Sequence, residues 1–145
     1  MEELSARTPV HLWIVGGVSA LWNAFGVADY VMTQTHNAAY LAAFTPEQRA
    51  YFDSFPAWME AAWAFGVWGA LLGSLLLLFR SRFAVWAFAL SLAGLAVSTL
   101  YQHLLSSVPA GMMTGVMIGM SIAIWVIAIA LLVYAIRMRD RGVLR

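Results

Sequence analysis

Four apolar runs, each at least 20 residues long and almost free of charge, dominate this chain. They lie at about 10–33, 57–79, 83–105 and 111–136. A helix needs about 20 apolar residues to cross a hydrocarbon core about 30 Å thick. Backbone N–H and C=O groups find no water there, so a spanning segment must satisfy them internally. The runs do not alternate as barrel strands do. The expected fold is therefore all-α: four transmembrane helices in a compact antiparallel bundle, forming one integral-membrane domain over 1–145. Composition agrees. Charged residues make up 10% of the chain, against about 25% in soluble domains.

The charges that remain are ordered. All eight basic residues are Arg. Arg7 precedes the first run, Arg80 and Arg82 join the second to the third, and Arg137, Arg139, Arg141 and Arg145 follow the fourth. Only Arg49 falls on the other side. The positive-inside rule then places both termini in the cytoplasm. The opening "MEELSART" is acidic, and no small-x-small cleavage site follows a short apolar core, so the first run is read as a span and not as a signal peptide. A net charge of +1 gives no bulk attraction for nucleic acid. With no Cys, thiolate catalysis, disulfides and thiolate metal sites are excluded.

The chain divides at Arg82 into two helical hairpins with similar endings, "LLLLFRSR" and "LLVYAIRMR". Parallel repeats would give this pattern, and so would convergence on generic leucine-rich, basic ends. Small residues mark packing faces. Gly66, Gly69 and Gly73 lie on the second run, and Gly111, Gly115 and Gly119 on the fourth. A spacing of four lines such residues up so that another backbone can approach. The fourth-run strip is the candidate intersubunit face, for a homo-oligomer or a larger membrane complex. The methionines around it, Met112, Met113, Met117 and Met120, read as adaptable packing.

The first outward loop is long, and "TPEQRAYF" supplies structure to it. Thr45 is placed to cap, Pro46 suits the first helical position, and Gln48 completes a capping box. A short amphipathic helix over about 46–53 is expected, lying on the bundle mouth. Polar side chains collect at the same end. Asn23, Asp29, Tyr30, His36, Glu60, Tyr101 and His103 are the candidate lining of an outward-facing vestibule. Asp29 shares a helical face with Trp22, Gly26, Thr33 and His36. Asn23 lies about 9 Å deeper at 1.5 Å per residue, which suggests a polar track inward. Asp29 is the residue of most interest, since an ionisable group inside a span is a functional candidate by default. Tyr30, Tyr101 and His103 are its expected partners. Glu60 also reads simply as a first-turn carboxylate meeting the helix dipole. No HExxH, Glu-x-x-His, nucleotide loop or Ser/His/Asp arrangement is present, so no metal site, cofactor or catalytic residue is assigned.

The stretches "DYVMTQT", "FPAW" and "GVWGALLGSLLLL", within residues 12–102, resemble a group of small four-span proteobacterial inner-membrane proteins often labelled "sugar transporter". The fourth run matches them only in character. The resemblance implies transport and carries no catalytic residues. Three functions stand open: an oligomeric small-solute transporter, an accessory or assembly subunit of a larger membrane complex, and a membrane enzyme or cofactor binder with an outward-facing site.

Overall fold

The computed structural model describes residues 7–145. It contains four helices long and apolar enough to cross a membrane, and the chain is a multi-pass membrane protein. α1 (Val10–Gln34) is followed by two short loop helices, α2 (Ala38–Leu41) and α3 (Pro46–Asp53). α4 (Ala57–Leu78), α5 (Ala84–Leu100) and α6 (Gly115–Asp140) complete the chain. α5 continues through a π-helical turn, Tyr101–Leu105. The spanning helices run alternately between an arginine-rich "basic end" and a "loop end" carrying α2 and α3.

Local chemistry fixes the boundaries. Pro9 and Pro56 stand in extended conformation before α1 and α4. The Thr45 hydroxyl accepts from Gln48 N–H at 3.2 Å, and Gln48 Oε1 accepts from Thr45 N–H at 3.0 Å. This reciprocal box starts α3. The fourth span departs from its expected limits. Gly111 lies in a separate 3-10 turn, Ala110–Met112, and the helix begins only after Thr114, whose side chain caps Met117 N–H. The hydroxyl cap prevails over the apolar pattern. α6 then runs past Ile136, because Arg is a good helix former and suits the negative end of the dipole.

Three helices end on the same device, in which a left-handed residue lets its own N–H and the next one return to the last turn. Gly142, with φ +72°, does this for α6: its own N–H reaches Arg139 O and Val143 N–H reaches Met138 O. His36 (φ +53°) does it for α1 and Arg80 (φ +56°) for α4. A side chain in this conformation costs about 1–2 kcal/mol. Both side chains then tie the helix end to another segment. His36 Nε2 meets Asp53 Oδ1 at 3.2 Å. Arg80 Nε donates to Val143 O at 3.2 Å.

α4 lies between α1 and α5, and its seam with α5 is the tightest in the molecule. A Cβ added to Gly94 would lie 2.5 Å from Ala62 O and 2.7 Å from Gly66 N. One added to Gly69 would lie 3.1 Å from Ala87 O. At Gly73 it would strike the Phe88 ring at 2.6 Å. Ser91 Oγ donates to Gly66 O at 2.6 Å across the same seam. α6 is packed differently. At the basic end its Leu131, Ala135 and Met138 join Leu12, Leu77, Val85 and Phe88 in one core cluster. Towards the loop end α6 is tied to α5 by Trp125 Nε1 donating to Thr99 Oγ1 at 3.2 Å. From Gly115 to Ile122 every residue of α6 is exposed. Only 6% of its apolar window is buried, against 44% for the third span. The compact four-helix bundle expected from the sequence is thus closed at the basic end only. At the loop end the core is drawn from α3, α4 and the π-helical turn that continues α5.

Candidate functional site

The polar residues proposed for the loop end fall into three separate environments. Asn23 is buried in the α1–α4 seam. Its Nδ2 donates to Ala70 O at 3.1 Å and to Ser74 Oγ at 2.9 Å, and Ser74 in turn contacts Ser19 Oγ at 2.8 Å. Its amide is consumed in holding two helices together, as interhelical polar contacts do in lipid. The expected track from Asp29 to Asn23 therefore ends in a structural hydrogen-bond cluster.

Asp29 is half-buried near the end of α1. Its carboxylate accepts from the Tyr40 hydroxyl, and not from Tyr30, Tyr101 or His103. The His36 turn reverses the chain, and Asn37 caps α2 by accepting from Tyr40 N–H at 3.0 Å. These two steps return Tyr40 to the helix it has just left. Burial, then the bond to Asp29 and its charge, hold the Tyr40 phenol well above the ordinary tyrosine value. The neutral phenol is thus the form that docks the loop. His36 and Asp53 form a second, exposed tie between the α1 end and the α3 end.

The third environment is aromatic. Tyr51, Phe55, Met59 and Tyr101 form a buried cluster flanked by Phe52, Trp63, Val108 and Met112. Tyr101 lies edge-on to Phe55 at 5.6 Å and to Trp58 at 5.4 Å. Tyr30 stands edge-on to Trp63 at 5.0 Å. Edge-to-face pairs of this kind add to the stabilisation from burial alone. Tyr51 OH is 2.8 Å from Ser106 Oγ, which fastens α3 to the segment after α5. Burial raises the Tyr51 phenol, the hydrogen bond with Ser106 works in the opposite direction, and Tyr101 adds to the rise.

The centre of the loop end is therefore filled by rings. Asp29, Tyr30, Tyr40 and Tyr101 sit in or beside this cap. Glu60 is half-buried in the first turn of α4, and His103 is exposed on the π-helical turn. Among the described residues, no three His, Asp or Glu side chains come together as a metal-ligand set. Tyr40, Ser74 and Ser19 were not among the sequence candidates. A Ser or Tyr carries no charge to mark it, and their partners lie 11 to 55 positions away.

The glycines separate in the same way. Gly66, Gly69 and Gly73 all have close neighbours, whereas a Cβ on Gly115 or Gly119 would meet nothing within 4 Å. Gly111 is off the helix, and a Cβ added there would lie 3.6 Å from Gln48 Nε2. No protein-family model, curated protein or solved structure matches the chain.

Proposed function

We propose that the chain is an accessory or assembly subunit of a larger membrane-protein complex, docking through the loop-end half of α6. The observation that carries this reading is the bare face of that half-helix. Among the described residues, nothing lies within 4 Å of a Cβ added to Gly115 or Gly119. Val116 is 81% exposed and Ile122 59%. Elsewhere in the same molecule small residues of this kind seat a neighbouring helix. In lipid such a face gains most from close van der Waals approach by another helix. The arginine asymmetry supports a cytoplasmic basic end and an outward loop end, and the sequence resemblance implies a bacterial inner membrane.

Extraction of the source membrane in mild detergent, followed by native mass spectrometry, tests the reading. The chain should emerge with a stoichiometric second protein. Gly119→Leu should release that partner while helix content stays unchanged. A chain that emerges alone, or solely with copies of itself, overturns the proposal.

A second reading is the oligomeric small-solute transporter that the sequence resemblance implies. Half-buried Asp29 at the loop end favours it. The commitment of Asn23 to Ala70 and Ser74 weighs against it, since the deepest candidate group is occupied. Asp29→Asn in reconstituted vesicles should alter solute uptake under this reading; unchanged uptake removes it.

A further inference from the structure

The basic half of α6 carries a second feature, distinct from the bare glycine face. Val126, Ile129, Ala130, Val133, Tyr134 and Arg137 line a groove of about 480 Å³. These positions recur at intervals of three and four and so form one stripe along the helix. Four apolar residues and one phenol lead to a single cation. The volume falls within the range of small-molecule sites, about 300–1,000 Å³.

Three observations indicate what fills it. The stripe runs 11 residues from Val126 to Arg137, about 16 Å along the axis at 1.5 Å per residue. That is close to half of a hydrocarbon core about 30 Å thick, the depth of one leaflet. The cation stands at the end where headgroups lie. Arg137 is exposed and has no carboxylate within ion-pair distance among the described residues; the nearby Asp140 is held by Arg139 at 3.1 Å. Finally, the wall at that end is fixed. His11 Nδ1 lies 2.6 Å from Tyr134 OH, with the rings edge-on at 5.7 Å, so α1 pins the tyrosine beside Arg137.

We infer that this groove binds one anionic phospholipid from the leaflet at the basic end, with an acyl chain along Val126–Val133 and its phosphate on Arg137. A guanidinium fork matches phosphate oxygens in bidentate geometry. The zwitterionic lipids of the same leaflet fit the apolar stripe equally well, but among the described residues the carboxylate three positions on, Asp140, is already held by Arg139 and does not serve their ammonium groups. Headgroup charge therefore sets the preference. The site is independent of the accessory-subunit reading, because it uses the other half of α6.

Native mass spectrometry of the purified full chain tests it. The protein is exchanged into mixed micelles holding equal amounts of phosphatidylglycerol and phosphatidylethanolamine with identical acyl chains. One retained phosphatidylglycerol per chain is expected, at about fivefold preference, the attraction of roughly one surface cation. Arg137→Gln should abolish the preference. Ala130→Trp, on an exposed position, should fill the groove and remove retention of both lipids with helix content unchanged. Arg82→Gln removes the same charge at the same end, on the turn between α4 and α5, and should leave the preference intact. Equal losses from Arg137→Gln and Arg82→Gln would show general surface attraction and overturn the site. Undiminished retention by Ala130→Trp, or no preference in the parent chain, would overturn it as well.

Discussion

The α4–α5 seam and the loop-end half of α6 use the same small residues to opposite ends. In the seam, Gly94 lies so close to Ala62 and Gly66 that a methyl group has no room. On α6, Gly115 and Gly119 face empty space. Both segments present glycines at helical spacing in an apolar run, and nothing local distinguishes them. A small-residue strip states how near a backbone can come; it does not state whose backbone arrives. The difference arises at Trp125, beyond which α6 no longer follows α5.

The largest effect that would sharpen this contrast is expected at Gly94. Gly94→Leu must drive α4 from α5 and should destabilise the protein by at least about 1–3 kcal/mol, the usual cost of overpacking. Gly119→Leu should change the stability of the isolated chain by no more than about 0.5 kcal/mol. Reversible unfolding in mixed micelles measures both. Equal losses at the two sites would mean that α6 is packed along its whole length, and the contrast would fail.

The α1–α4 seam provides an intermediate case, joined by polar groups instead of glycine. Ser74 contacts both Asn23 and Ser19. Ser74→Ala should therefore cost more than Ser19→Ala, within the roughly 0.6–1.7 kcal/mol found for hydrogen bonds between membrane helices. Indistinguishable losses in the same unfolding assay would show that Asn23 is held adequately by Ala70 alone.

The smallest effect concerns the cap. Tyr40→Phe should loosen the loop by about 1 kcal/mol or less, the net worth of one partly exposed hydrogen bond. Faster protease cleavage between α2 and α3 at neutral pH would report it. The pH dependence follows from the raised phenol. The folded-state value exceeds that of the unfolded chain, so the contribution is complete below about pH 10. It fades as pH rises through the higher folded value. In a tyrosinate absorbance titration, Tyr40→Phe should delete one late-titrating group of the five tyrosines. Five equivalent, ordinary titrations in the parent chain would contradict the Asp29 contact.

What the sequence disclosed depends on the range of the interaction. The four spans were legible because bilayer thickness imposes a length on any apolar helix. The cap of α3 was legible because Thr45 and Gln48 are three residues apart. The start of α6 was misplaced, because one hydroxyl at Thr114 outweighed a continuous apolar pattern. The site was harder to read. Asp29 was singled out by its charge, but its partner was not, because the chain turns at His36. A left-handed histidine leaves no compositional mark where glycine would have left one. Likewise Asn23 looked like the inner end of a polar path until Ser74, on another helix, was brought beside it.

The π-helical turn at Tyr101–Leu105 has a consequence for insertions and deletions. Such a turn holds one residue more than an α-helix would. Removing Gln102 would restore ordinary pitch, leave Tyr101 in place and swing the following residues by about 100°. Ser106 would then lose its reach to Tyr51, and the segment leading into α6 would leave α5 in another direction. The extra residue of the π-helical turn thus sets the phase at which the chain leaves α5, and one codon would change it without altering any residue of α6 itself.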